Sequence, residues 1–416
     1  MATSYDYLLL GGGTSCGYAA AAIRENDKTG TIGIVGADTE PPYDRPPFSK
    51  YFLTDSTKKV DDFHSKDESF YPENNVELRL GMRATEIDRE HKQVGFDSGE
   101  RIGYGKMLYA LGCSARPIHK DTEEEIYYLR SAADSTTIRK MAEAGGSCVI
   151  IGGGYVGCEL AASLAVRGVK VTIVEQGDHV HPNFASRPIA EAIQRELVST
   201  GVHVATNDPV AHIFGGSRVT TREGHEYSGD FVVAAVGHIH NRELAKNAHL
   251  EMGMHGVRAN SKLRTSDANI WVSGDIAEFD DSVLGDVYIA EHHLHAKASA
   301  QHAGRVMSGI EEPFKNVPYF FSDVGPLSMI LRGYPERGEQ SFVFGNADAP
   351  VITELFLSAG GRVLGVIDLR KDYKQQDPIS EMFERLILNR VNLSSMAGAM
   401  REPGFDLMSL GDLAPA

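Results

Sequence analysis

Cysteine is scarce in this chain of 416 residues, with four in all, at positions 16, 113, 148 and 158. No two of them stand at the CxxC or CxxxxC spacing of a redox-active dithiol, which excludes relay of electrons through an internal disulfide on the usual plan. Long apolar runs are missing as well. The best stretch, 148–166, contains Glu159 and several glycines, so nothing approaches the ~18 residues that a spanning helix needs. The start, MATSYDYLLL, has no basic region ahead of its short apolar run, which reads as a first strand and not as a signal peptide. A cytoplasmic address is the expectation. Positive charge is also short: 41 Lys and Arg against 57 Asp and Glu leave a formal net charge of −16. That balance argues against nucleic acid or an anionic membrane as partner, although a local basic patch can survive within it. What remains is ordinary globular composition, 42% hydrophobic and 24% charged, in a chain long enough for two or three domains.

Glycine is where the sequence speaks. LLLGGGTSCGYAAAAIR begins at Leu8 and CVIIGGGYVGCELAASLAVRG begins at Cys148. In each, a short apolar strand meets a glycine-rich turn that opens an Ala-rich helix. The glycines let backbone N–H groups close on a pyrophosphate, and the helix offers it the positive end of its dipole. One such turn alone is weak evidence, because glycine-rich strand-to-helix turns are common. The second copy carries more. After its helix the strand VKVTIVE ends at Glu175, where an acid can bond a ribose 2′-hydroxyl and repel a 2′-phosphate, so NADH is favoured over NADPH. His179 and His181 nearby can carry partial charge. In the first copy the strand TIGIVGADTE supplies Asp38 for the same task, with a solvated strand end as the plain alternative. A chain with two such turns is built to hold two dinucleotides, which points to electron transfer between them.

Between the copies lies the proline-rich loop PPYDRPPFSK, 41–50, which is expected to be neither helix nor central strand. Its Arg45 and Lys50 either face a bound pyrophosphate or ring, or belong to a solvated charged loop. Antiparallel alternation around DSGERIGYGK follows, then the strand MLYALG, and after Arg116 an acidic linker, KDTEEEIYYLR. FVVAAVG, ending at Gly237, echoes MLYALG and marks an internal duplication. LRTSDANIWVSGDIAEF places Asp275 at a strand end, where a carboxylate can accept from a ribitol hydroxyl. A helix is expected from near Tyr288, carrying Glu291, His292, His293 and His295. Their spacing admits a metal ion, but no further ligand is specified, and an imidazole edge beside a flavin or nicotinamide ring explains the residues with less. We therefore expect no metal. From about Val317, alternating stretches (SFVFG, VITELFL, RVLGVIDL) and a final helix read as a small mixed α/β domain.

Taken together, GGGT at Gly11, PPYDRPPFSK, GGGYVGCELA, VSGDIA, AEHHLHA and VPYFFSDVGP resemble the FAD-dependent ferredoxin reductase-like flavoproteins, and especially their apoptosis-inducing factor branch. The resemblance covers nearly the whole chain. It implies an α/β architecture of two Rossmann-like nucleotide-binding domains and a C-terminal α/β domain. The FAD domain would take 1–116 and 246–316, the NAD(H) domain 117–245, and the C-terminal domain 317–416. It further implies FAD at Gly11, Gly13, Thr14 and Ser15 (pyrophosphate), Asp38 (ribose), Ala84 (adenine), Arg45, Lys50 and Arg116 (around the cofactor), Asp275 (ribitol), and His292 and His293 (flavin ring). NADH would take Gly152, Gly154, Tyr155, Val156, Gly157, Glu175, Gly237 and Glu291. A Lys50–Glu159 pair would serve the catalytic edge of the flavin, where retaining a buried pair fits positioning and electronics better than stability.

Three departures stand out. Cys16 replaces the third glycine of the first turn, Phe321 replaces a tryptophan that resembles a lid over the nicotinamide, and His240 replaces a proline after Gly237. The implied activity is hydride transfer from NADH to FAD and then electron transfer to an external acceptor, such as a small iron–sulfur protein (ferredoxin or rubredoxin), a quinone or a small molecule, with no disulfide between. The competing implication is a redox sensor in which a long-lived complex of reduced flavin and nicotinamide controls homodimer formation.

Overall fold

The computed structural model describes residues 3–118, 126–143, 145–181, 186–346, 348, 351–371 and 378–414. Most of the acidic linker expected ahead of the second turn lies outside them. The chain is α/β and divides into two compact units, one of Met1–Arg45, Lys59–Ser114 and Ile239–Pro318, the other of Pro46–Lys58, Ala115–His238 and Tyr319–Ala416.

In the first unit a sheet runs in the order Val76–Leu80, Ile32–Gly36, Ser4–Leu10 and Arg101–Tyr109, all parallel, with Ile270–Val272 also parallel beside the last. The short strands Gln93–Phe96 and Ala84–Asp88 extend it antiparallel, as the alternation around the turn at 97–100 anticipates. Every residue of Ile32–Gly36 is buried, and so are Tyr7–Leu10. Continuous apolar runs of this kind belong to a sheet covered on both faces. The helix Thr14–Asn26 covers it and packs on the helix His293–Met307. The two backbones approach closely: a Cβ on Gly304 would lie 2.6 Å from the Ala19 carbonyl oxygen and 3.0 Å from the Ala22 Cβ, so a small residue is needed at 304.

The second unit repeats the plan. Its parallel sheet is ordered His203–Ala205, Lys170–Val174, Ser147–Ile151, Phe231–Ala234 and Tyr127–Tyr128, with the helix Tyr155–Val166 following the central strand. Tyr319–Val324, Leu327–Gly333, Val363–Lys371, Val351–Leu357 and Gln340–Phe344 form an antiparallel sheet, beside which lies the helix Pro378–Leu388. A single apolar core joins Ile150, Leu160 and Ile193 of the nucleotide fold to Met329, Leu331 and Ile367 of this sheet.

Two expectations are corrected. Residues Asp286–Ile289 form a strand, because Val287 and Tyr288 pair with Asp280 and Phe279, and the helix begins only at His293 with His292 as its extended cap. The proline-rich loop is partly helical: Pro46–Ser49 make a 3-10 turn, a conformation whose first residues need no N–H donor, followed by the short helix Tyr51–Thr54. No helix among the described residues is long and apolar enough to cross a membrane.

Candidate functional site

The first turn is fixed by its neighbours. Gly11 has φ +130° and donates to the Val35 carbonyl at 2.8 Å, and a Cβ on it would stand 2.4 Å from the Ala110 oxygen. Only glycine fits there. Gly13 caps the helix Thr14–Asn26 in an extended conformation with no side-chain cap and no acid in the first turn, so the helix presents its positive end unopposed. The Arg45 guanidinium lies 3.6 Å from where a Gly13 Cβ would be, which puts a fixed cation at that end. Asp38, close to Gly12, accepts from the Tyr43 hydroxyl at 2.9 Å. Thr14 and Ser15 are buried, and their hydroxyls donate to the carbonyls of Tyr43 (2.8 Å) and Ala296 (3.5 Å). Their hydroxyls therefore fasten the surroundings, and what they offer an anion is backbone. Backbone donors, an uncapped helix end and a guanidinium are together the kind of cradle that could hold a pyrophosphate.

The second turn has the same backbone. Gly152 has φ +103° and donates to Val174 at 2.9 Å, and a Cβ on it would stand 2.5 Å from the Ala235 oxygen. Gly154 caps the helix Tyr155–Val166 without a side-chain partner or a first-turn acid, and a Cβ there would meet nothing within 4 Å. A Cβ on Gly157 would lie 2.0 Å from the Gly152 oxygen, so helix and turn meet at backbone contact. Glu175 is buried and accepts from Gly153 N–H at 2.6 Å and Gly177 N–H at 2.7 Å, which aims its carboxylate at the turn. Tyr155 packs edge-on to Phe320 at 4.5 Å and against His181 at 4.8 Å, while Val156 is exposed. His181 carries no charge at neutral pH: burial pushes its pKa down to about 4. Gly237, at φ +93°, accepts from Arg116 N–H at 3.0 Å, and the Arg116 guanidinium donates to the His238 carbonyl.

The third cluster is ionic and buried. The segment Phe48–Ser49 is tied down by Ser135, whose hydroxyl donates to the Phe48 carbonyl at 2.6 Å, and by Ser163, which donates to the Ser49 carbonyl at 2.7 Å. This sets Lys50 opposite Glu159 of the helix Tyr155–Val166, with Nζ to Oε1 3.2 Å. Glu159 also accepts from Ser49 Oγ (2.5 Å), Ser322 Oγ (2.7 Å) and Asp323 N–H (3.3 Å). Asp323 Oδ2 lies 3.1 Å from the Lys50 ammonium. The Phe321 ring lies beneath that ammonium at 4.6 Å, a cation–π contact. Desolvation opposes the Lys50 charge, but the two carboxylates outweigh it and hold its pKa above the ordinary value. Ser49, Ser322 and Asp323 escaped the sequence reading. The only signal for Asp323 was its place in the FFSDVGP motif.

The remaining residues fall in the first unit. Ala84 opens an edge strand opposite Phe96, and Asp275 sits in the 3-10 turn Gly274–Ile276 after the strand Ile270–Val272. His292 is held mostly neutral, since desolvation outweighs the pull of Asp275 and Glu291. His293 Nε2 approaches Asp44 at 3.7 Å, and Glu291 meets His240 at 2.8 Å. His295 stacks on Phe279 at 5.6 Å and is part of the core. Among the described residues, the groups close enough to share an ion do not include Glu291, His292 and His295.

The family model for pyridine nucleotide-disulphide oxidoreductases matches residues 5–303. The chain belongs to the pyridine nucleotide-disulphide oxidoreductase family. Similar relatives include a rubredoxin-NAD(+) reductase of Pseudomonas putida, 30% identical over 77% of this chain and 85% of its own, and a ferredoxin–NAD(P)(+) reductase of a Sphingomonas species, 28% identical over 90% and 92%. A putidaredoxin reductase solved in covalent complex with putidaredoxin shares the fold at a TM-score of 0.89 and 24% identity, over 99% of each chain. This oxidoreductase is a flavoenzyme whose cofactors are FAD and NAD(P)H, and its two glycine turns and uncapped helices have the form those dinucleotides require.

Proposed function

We propose that this enzyme passes electrons from NADH through FAD to an external acceptor with no sulfur couple between them. The observation that carries the reading is the state of the cysteines. All four are buried and none is in a disulfide, and desolvation raises the pKa of Cys16, Cys148 and Cys158. Those three thiols are held protonated, and a buried, protonated thiol does not exchange with a disulfide.

Bound FAD supplies the hydride acceptance and electron release, and the chain supplies place and charge. In this reading Gly11, Gly13, Arg45 and Asp38 hold FAD in a domain of 1–116 and 246–316, aided by Ala84, Arg116, Asp275, His292 and His293. Gly152, Gly154, Tyr155, Val156, Gly157, Glu175, Gly237 and Glu291 hold the nicotinamide dinucleotide, chiefly in 117–245. Glu175 favours NADH, because a carboxylate pinned by two backbone N–H groups can accept from a 2′-hydroxyl and repels a 2′-phosphate. Lys50 keeps an ammonium at the reacting edge. The names of the relatives favour a small iron–sulfur protein of the rubredoxin or ferredoxin type as acceptor, ahead of a quinone. The combination of motifs, of which EHHLHA and FFSDVGP are the most specific, favours the apoptosis-inducing factor branch.

The test is steady-state NADH oxidation with a rubredoxin, a ferredoxin and a quinone, repeated on single Cys-to-Ala variants at 16, 113, 148 and 158. Turnover within a few-fold of the parent in all four supports the reading. Loss of acceptor reduction in a variant whose flavin is still reduced by NADH contradicts it. Slow reoxidation by every acceptor, together with dimerisation on reduction, would favour the sensor.

A further inference from the structure

Lys50 has more anionic company than a simple pair. Its ammonium has three N–H donors and meets two carboxylates, Glu159 at 3.2 Å and Asp323 at 3.1 Å, with the Phe321 ring beneath. The two acids are not equivalent. Glu159 is nearly as buried as Lys50 and divides its charge among Ser49, Ser322, the Asp323 N–H and the ammonium. Asp323 has 21% of its side chain exposed, accepts from Ser328 Oγ at 2.6 Å on Oδ1, and leaves Oδ2 to the ammonium.

We propose that Asp323 is a positioning residue for Lys50: the second, solvent-side counter-ion that fixes where the ammonium points, held in register by Ser328. The inference rests on the reading of Lys50 given above and extends it to a residue on the strand Tyr319–Val324, 273 positions away in the chain. The reason is electrostatic. A single carboxylate shared among four donors makes a weak anchor for a buried cation, whereas one with an undivided oxygen makes a strong, directed bond. The other cations packed around this segment are engaged elsewhere: Arg139 donates to the carbonyls of Phe52 and Lys58, and Arg167 to that of Leu53.

A raised lysine pKa contributes stability that is present at neutral pH and is lost as pH rises through the folded value. Removing the Asp323 charge brings that loss to lower pH. The experiment is Asp323→Asn in the holoprotein, which keeps the side chain's size and removes its charge. The Lys50 side chain is titrated by lysine-selective NMR, assigned with Lys50→Arg, beside the pH profile of anaerobic flavin reduction by NADH. The expected result is a downward shift of both the Lys50 titration and the alkaline limb, reduction at neutral pH slowed about tenfold, and recovery of all three in Asp323→Glu. An unchanged Lys50 titration in folded Asp323→Asn, or no recovery in Asp323→Glu, would overturn the proposal. Should Asp323→Asn not fold, Ser328→Ala releases the carboxylate instead. A smaller shift in the same direction supports the proposal, and none overturns it. The titration needs neither acceptor nor turnover, so its outcome is separable from failure of the electron path proposed above.

Discussion

The two glycine turns share a backbone and differ in their cover. At the first, Arg45 reaches the uncapped helix end at Gly13, Thr14 ties the Tyr43 carbonyl, and Tyr43 in turn bonds Asp38, so one loop closes over cation, acid and turn. At the second, a Cβ on Gly154 would meet nothing within 4 Å, Glu175 is held by the Gly153 and Gly177 N–H groups, and the His181 N–H donates to the Gly153 carbonyl at 2.8 Å. The lesson is that one strand–turn–helix backbone can be built twice with different side chains around it: a cation and an acid at the first, a buried acid at the second. Tightness differs as well. Gly157 sits at backbone contact, whereas the matching position in the first turn takes Cys16, fully buried without a glycine.

The comparison is easiest to break at Gly157. A side chain there must push the helix off the turn, so Gly157→Val is expected to slow NADH reduction at least about a hundredfold while the protein stays yellow; stopped-flow reduction beside flavin content reads both. Arg45→Ala should do the reverse. Loss of a charge-assisted contact weakens FAD retention by about tenfold, seen as flavin lost on gel filtration, with NADH affinity unchanged in reconstituted protein. Glu175→Gln keeps an acceptor and removes the charge, so the preference for NADH over NADPH in kcat/KM should narrow by about fivefold, in the second turn only. The smallest effect belongs to Cys16→Gly, which restores the glycine. It should cost at most about 1 kcal/mol in thermal unfolding, through helix propensity, and leave both coenzymes in place. A large loss of flavin there would show the first turn to be as tight as the second.

Both turns were legible because their signals are local: strand, glycines and helix follow one another within a few residues, and Glu175 and Asp38 stand at the ends of the next strands. The C-terminal strands at 340–344, 351–357 and 363–371 also showed through alternation. Asp323 did not show itself. It reaches Lys50 across 273 positions of chain, and no spacing rule spans that distance. His181 was read as a partial charge because burial is invisible in sequence, yet its ring is enclosed beside Tyr155 and uncharged. The helix expected from Tyr288 failed for a related reason: Val287, Tyr288 and Ile289 suit a strand, and the partner strand Ala277–Asp281 that decides the matter has no local signature. The contact of Phe321 with Lys50 was likewise invisible in sequence, since the two are far apart in the chain.

The most direct test of the account counts electrons. Purified protein titrated anaerobically with NADH is predicted to lose its visible flavin band at one equivalent of NADH per FAD and to take up no more. Uptake of about two equivalents per FAD would reveal a reducible sulfur couple and contradict the account. So would a flavin band that persists under excess NADH.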